Sequence, residues 1–345
     1  MLIKGFLDSP PDESETLRML QAIERQLQVC GDGTDWELAI QANHEQILRD
    51  LWAFLLDVVC TPLWLRIRAA ELLNVCFTLR RDYLRVDRSK AHWLRSIVSS
   101  TCQLLDELDP RDKEQSTSLF HWMSFLEHLL LATDDSSIFQ IVFKHSTYAS
   151  MLSKMVRLLS NSSTQLFAAT TICLSAFHRH EAHAGVQQHT PNGVLLDLVL
   201  SDASREGVQH VSGALLHVIN SCGFPCPENR LSQLRDAIQL FCDVLRHPRV
   251  YQIVYLNDFK VLLDILLREC TDLPLEDALR DDYLGLLDLA LGSALYLHSQ
   301  TYRKAEFLKL LEDLLDAGTE ADTTLSSSTT DTVKHILLER IDRLD

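Results

Sequence analysis

Glycine and proline are scarce in this chain, 11 and 9 of its 345 residues. An α/β enzyme with many tight loops carries more glycine, because its turns need positive φ. The scarcity therefore argues for long helices joined by short connections. Positive charge is short as well: 32 Lys and Arg face 48 Asp and Glu, a formal net charge of −16. Nucleic acid and anionic membrane surfaces are poor partners for such a balance, since both are gripped by clustered Lys and Arg. Basic protein surfaces suit it better, with long-range steering of the encounter. No stretch approaches the ~18 apolar residues of a membrane span, and the N-terminus lacks the apolar run of a signal peptide. The 9 cysteines are odd in number and follow no framework spacing. Cys60, Cys76, Cys102, Cys173, Cys242 and Cys270 sit in helical apolar patterns as small hydrophobes, which predicts a reducing, cytoplasmic compartment.

Catalytic signatures are missing too. There is no G-x-x-x-x-G-K-[ST], no G-x-G-x-x-G and no G-x-S-x-G. His178, His180, Glu181 and His183, with His189 nearby, have the ligand types of a zinc site. They do not fit H-E-x-x-H, and histidines at a helix end commonly serve its last carbonyls. Cys222 and Cys226 form a C-x3-C without a second pair, which reads as a prolyl loop with two incidental thiols. The acid pairs Asp134-Asp135 and Asp281-Asp282 read as caps and solvated faces. No catalytic, cofactor-binding or metal-binding residue is assigned, and the chain is read as a non-enzyme.

What is present is a 3.6-residue apolar period along almost the whole chain. A first helix opens at Asp12 and Glu15. Thr34 and Glu37 form a capping box before a helix that runs to about Cys60. Thr61 caps the next helix, with Pro62 at its first position, and that helix reaches about Arg80. Further helices are predicted from Ser89 to near Asp109, over Gln115–Ala132, Ile138–His145 and Tyr148–Leu159, and from Ser163 to about Phe177. A loop spans His178–Asn192. Two helices then lead to the loop Cys222–Asn229. Others cover Leu231–Arg246, a stretch capped by Asn257-Asp258, one restarted at Leu273-Pro274 and running to about Tyr296, Tyr302–Leu315 and Asp331–Leu344. A flexible loop is expected near 317–329. Breaks recur every ~40 residues, the scale of armadillo and HEAT repeats, without a visible sequence repeat. The expected fold is all-α, an irregular armadillo/HEAT-like α-solenoid forming a single domain over 1–345.

The stripe Lys260/Asp264/Arg268 reads as an exposed helix face laced with i,i+4 pairs. In an acidic protein it is also a natural partner contact, as is Tyr302-Arg303-Lys304.

One segment is more specific. It reads Tyr255-Leu-Asn-Asp-Phe-Lys-Val-Leu-Leu-Asp-Ile-Leu-Leu-Arg-Glu-Cys-Thr-Asp-Leu273, then Leu279-Arg-Asp-Asp-Tyr283-Leu, then His298-Ser-Gln-Thr-Tyr-Arg-Lys-Ala-Glu-Phe307. It resembles the signature of the WISH/DIP/SPIN family of WASP-independent activators of the actin-related protein 2/3 complex, in its compact fungal type without an SH3 domain. The resemblance implies an armadillo-like fold. It also implies a nucleation-promoting factor that needs no preformed filament, gives linear filaments that seed branched networks, and works at endocytic, cortical actin patches. The implied partners are that complex and, indirectly, actin filaments, with no cofactor. Lys260, Arg268, His298, Arg303 and Lys304 are the polar positions within the resembling segment, and they are the expected partner contacts. Phe259, Leu262, Leu266 and Tyr283 are expected to be packing. The rival reading is an armadillo-like adaptor that grips a basic peptide or helix of an unrelated partner.

Overall fold

The computed structural model of the chain describes residues 48–344 apart from 58, 60, 185–192, 248 and 318–325. Among these residues there are helices and no strand. After a helical stretch at 48–56 come α1 (Leu63–Leu79), α2 (Trp93–Glu107), α3 (Lys113–Ala132), α4 (Gln140–Phe143), α5 (Ser146–Leu158), α6 (Thr164–His183) and α7 (Val194–Ser201). They are followed by α8 (Val211–Ser221), α9 (Leu231–Arg246), α10 (Leu256–Asp272), α11 (Leu279–Gly292), α12 (Ala294–His298), α13 (Lys304–Ala317) and α14 (Ser327–Leu344).

The helices form two rows. In the first, α1, α3, α6, α9, α11 and α14 each pack on the next. The second row holds α2, α5, α7, α8, α10 and α13. This is the expected all-α solenoid. Each helix buries one stripe toward the other row: on α9, Leu234, Ala237, Ile238, Phe241, Cys242 and Leu245 are buried at the 3, 4, 7, 8, 11 spacing of a helical face. One continuous core results, from Leu51 to Ile336.

The repeat that the sequence hides is plain in the side-chain hydrogen bonds. Partners from successive layers lie 44–54 positions apart: Asn74 with His128, Ser116 with Ser163, Ser136 with His180, Ser212 with Asp258, Arg235 with Asp282. Every step of the first row carries such a bond, the one between α6 and α9 spanning 65 positions. Asn74 donates to the His121 carbonyl at 3.0 Å, His180 bonds the Leu130 carbonyl at 3.0 Å, and His178 meets Asp243 at 2.8 Å. Arg235 donates to Asp282 at 2.9 Å and Arg340 to Asp288 at 2.9 Å. Buried polar partners fix register, because a slipped layer would leave them unsatisfied.

Several helix boundaries differ from expectation, for local reasons. Pro62 itself is the N-cap of α1, and Thr61 does not cap it. The turn Arg88–Lys90 is capped by Asp87, which accepts from Ser89 and Lys90, so Ser89 is not the start signal. Helix α10 begins after Tyr255, and Asp258 accepts from Ser212 at 2.6 Å instead of capping. The helix expected to reach Tyr296 breaks at Ser293 between α11 and α12. The largest correction is α6, which runs through His183, so His178–His183 are helix and not loop. Their polarity signalled a loop, but the buried side chains of His178, His180 and Glu181 each find a partner outside α6. The helix predicted from Asp12, the Thr34/Glu37 box and residues 318–325 of the loop expected near 317–329 lie outside the described residues, while the end of that loop is corrected: the last helix starts at Ser327, before the expected Asp331.

Burial also sets a pH dependence. Glu127 of α3 is buried, and loss of solvation lifts its carboxyl to about 7, although Gln233 and Arg230 pull the other way. Its unfolded value is the ordinary 4.5. A raised acid stabilises fully below the unfolded value, and that contribution is lost as pH rises through the folded one. Glu127→Gln is therefore expected to be more stable than the parent by roughly 3 kcal/mol at pH 8 and not at pH 4. Urea unfolding at both pH values tests this; an equal difference at both would refute it.

Candidate functional site

Four of the five expected contact residues, all but His298, come from α10 and the segment that opens α13. Core packing positions α10: Phe259, Leu262, Leu263 and Leu266 are fully buried, and Cys270 nearly so. That burial turns Val261, Asp264 and Arg268 outward, with Val261 and Arg268 exposed. Tyr283 is also fully buried. Phe259, Leu262, Leu266 and Tyr283 are thus packing, as expected.

Lys260 and Arg303 meet on one ring. The Lys260 ammonium lies 5.4 Å from the centre of the Tyr302 ring, and the Arg303 guanidinium 5.6 Å from it. Asp264 closes the cluster: its carboxylate accepts from Arg303 Nε at 3.0 Å and from the Tyr302 hydroxyl at 3.4 Å. Arg303 also reaches Glu306 at 3.3 Å. The Tyr302 hydroxyl, Asp264 and Glu306 together raise the guanidinium above its already high ordinary value, so it is a permanent cation. Asp264 was expected to pair along its own helix with Lys260 and Arg268. It pairs instead across to α13, because Arg303 is delivered at its level.

Arg268 belongs to a second group two turns along α10, a rise of ~12 Å. Its guanidinium donates to Asn220 of α8 at 3.0 Å and to Glu269 at 2.6 Å. Glu269 is buried and also accepts from the Phe224 amide at 2.8 Å. Arg268 is thus held on a fixed carboxylate with half of its side chain in solvent. His298 is exposed at the end of α12, and Lys304 opens α13. These two flank the loop that carries Tyr302 and Arg303 and are joined to the cluster through it.

Apolar groups accompany these cations. Tyr251, Tyr255, Leu256, Val261 and Leu297 are between 39% and 61% exposed, among the large hydrophobics that stay in solvent. Aromatic and apolar groups set beside arginine are what energetic centres of protein interfaces are made of. The five expected contact residues include neither Tyr302 nor Asp264, although both stand in the stretches Lys260/Asp264/Arg268 and Tyr302-Arg303-Lys304 that the sequence offered as partner contacts; what it did not show is that these two stretches meet.

The backbone of this loop is unusual. Gln300, Thr301 and Arg303 have φ of 60°, 51° and 61°, the left-handed region. For side-chain-bearing residues this costs on the order of 1–2 kcal/mol each, and a β-branched threonine is the hardest to place there.

The histidine cluster does not converge. On α6, residues two apart point about 200° apart. His178 Nε2 bonds Asp243 of α9 at 2.8 Å, while His180 bonds Ser136 at 2.8 Å and the Leu130 carbonyl at 3.0 Å. Glu181 accepts from the Tyr148 hydroxyl at 2.8 Å. Burial, with Arg179 beside it, lowers His180 to about 3, so it is neutral and acts as packing and hydrogen-bond partner. The paired acids are structural: Asp135 caps a turn and meets Arg88 at 3.1 Å, and Asp282 accepts from Arg235.

Removing one cluster member tests its cohesion. Asp264→Ala is expected to change stability by less than about 1 kcal/mol, because the Arg303 pair is exposed. It should weaken partner binding roughly fivefold by releasing Tyr302 and Arg303 from their fixed positions. Denaturant melts and a binding isotherm give the two numbers.

None of the described helices is long and apolar enough to cross a membrane. No curated protein matches the chain. The family model SPIN90/Ldb17, leucine-rich domain, matches residues 136–307, a stretch that holds α10, α12 and the whole Lys260/Tyr302/Arg303 cluster. By that domain the chain belongs to the SPIN90/Ldb17 family, the family of WISH/DIP/SPIN90 proteins associated with regulation of the actin-related protein 2/3 complex.

Proposed function

We propose that this protein is a nucleation-promoting factor that binds and activates the actin-related protein 2/3 complex without a preformed filament. Its product is linear filaments that seed branched networks at cortical actin patches. The observation that carries this reading is the position of the Lys260/Tyr302/Arg303 cluster within the family domain, on a chain whose net charge is otherwise strongly negative. Lys260, Arg268, His298, Arg303 and Lys304 are the proposed contacts, with Tyr302 and Asp264 added.

The mechanism is a shift of population, and no bond is made or broken. A nucleator whose active arrangement is rarely populated is activated by whatever binds that arrangement more tightly. The shift equals the difference in binding free energy, and ~5.5 kcal/mol turns a 1:99 equilibrium into 99:1. Discrimination of that size needs a stiff binder, because a pliant one adapts to both states. Two helix rows on one core, with every step of the first row stitched by hydrogen bonds, support such stiffness.

The test is assembly of fluorescent actin with the purified complex and this protein, without seeds or a WASP-type activator. Acceleration that requires both components, with unbranched filaments under the microscope, is expected. A complex that is active with another promoter but silent here would overturn the proposal and leave an adaptor whose partner is found by pull-down.

A further inference from the structure

A buried carboxylate stands beneath the outer face of α10. Glu269 is 1% exposed, and a carboxylate so placed is costly unless it is paired and hydrogen-bonded. Its partners belong to exposed residues. Oε1 accepts from Nε and Nη2 of Arg268, at 3.1 and 2.6 Å. Oε2 accepts from the Phe224 amide at 2.8 Å. One carboxylate thus ties α10 to the loop between α8 and α9, and it holds two exposed residues next to each other.

The loop is shaped to this contact. A Cβ on Gly223 would overlap the Glu269 carboxylate, so glycine is what allows the backbone to come this close. What the close approach presents is Phe224. It is 45% exposed, while every other described phenylalanine is buried or half-buried. The ring itself is not needed for the latch, because the bond to Glu269 is made by the backbone amide. An aromatic ring left in solvent on a fixed backbone, beside an arginine, has the make-up of an interface centre. Groups fixed beforehand also lose little freedom on binding. Arg268 keeps capacity for a partner: Nε and Nη2 serve Glu269 and Asn220, while Nη1 makes no hydrogen bond among the described residues.

We propose that Phe224 is a contact residue for the partner and that Glu269 is the positioning residue that sets it beside Arg268. The pair fits a partner segment that places an apolar side chain next to a carboxylate: the ring covers the first, and Arg268 Nη1 donates to the second. This rests on the contact surface proposed above and extends it from α10 onto the α8–α9 loop.

Three variants and the purified actin-related protein 2/3 complex test the idea. Phe224→Ala removes the ring and leaves the amide on Glu269. Affinity should fall about tenfold, with the melting midpoint within about 2 °C of the parent. Phe224→Tyr keeps the ring and should bind within about twofold of the parent. Gly223→Ala keeps both side chains but displaces the carboxylate. Affinity should fall about fivefold, and hydrogen exchange of the Phe224 amide in the free protein should quicken about tenfold. In that background Phe224→Ala should cost less than about twofold more, because a ring no longer set in place contributes little.

Parent affinity in Phe224→Ala would remove the ring from the contact while the α10 surface stands. Full additivity of the two changes, or unchanged exchange in Gly223→Ala, would overturn the positioning role of Glu269. Equal weakening by Phe224→Ala and Phe224→Tyr, with a lowered melting midpoint, would assign the residue to folding. A parent that does not bind the complex would overturn the contact surface itself, and this extension with it.

Discussion

Lys260→Glu is expected to abolish acceleration of actin assembly by the actin-related protein 2/3 complex while the fold survives nearly unchanged. The loss at the contact is large because one exchange does three things. It removes a cation from the Tyr302 ring, puts an anion next to Asp264 one turn away, and reverses the sign presented to the partner. Misplaced charge at an interface costs several kcal/mol, and ~3 kcal/mol is more than a hundredfold in affinity. The fold loses far less. Lys260 and Tyr302 are half-buried; a cation–π contact at such a site is worth about 1 kcal/mol, and a like-charge i,i+4 pair costs a few tenths more. For a chain of this size, about 1 kcal/mol moves the melting midpoint by roughly 2 °C. Assembly kinetics and a thermal melt on the same preparation separate the two. Retained activation would remove Lys260 from the contact surface, and a melting midpoint lowered by ten degrees or more would make the residue structural.

How far the sequence disclosed this site follows from what each residue is paired with. Apolar period alone placed α9 at Leu231–Arg246, where the structure has it, because its burial pattern is local. The same reading ended α6 early. Histidine and glutamate look like loop residues until Asp243, Ser136 and Tyr148 arrive from other helices to satisfy them. The cations of the candidate site were legible as polar positions between core positions. Their arrangement was not: Asp264 lies 39 positions before the Arg303 it binds, and no helical spacing announces that pairing. The left-handed run at 300–303 was hidden for a related reason. Positive φ normally writes itself as glycine, and here it is imposed on Gln, Thr and Arg by the buried hydrogen bonds of Ser299 and Tyr296.

Arg280→Ala is expected to do the opposite of Lys260→Glu: destabilise the protein by about 3–5 kcal/mol while leaving the chemistry of the contact surface intact. Arg280 stands in the Leu279-Arg-Asp-Asp-Tyr283-Leu part of the resembling segment, yet it is 1% exposed. Its guanidinium fills the C-terminal end of α10, donating to the carbonyls of Cys270 and Leu273 and, at 3.3 Å, to that of Pro274. Helix C-termini leave their last carbonyls without intrahelical partners, and this buried arginine serves those of Cys270 and the C-cap Leu273 together with the Pro274 carbonyl just beyond the helix. Burial lowers its pKa, while Cys270, Asp277, Asp281 and Glu276 oppose that shift, so the ion is held by the fold. Truncation strands the Cys270 and Leu273 carbonyls away from water, opens a cavity and frays the last turn of α10. Arg280→Met, which fills the volume without the donors, should recover the cavity part of the loss and not the hydrogen-bond part. Activation assayed well below the lowered melting midpoint should persist in both variants. Activation lost at a temperature where the Arg280 variants are folded would place this arginine in the functional surface, and a melting temperature equal to the parent's would remove it from the core.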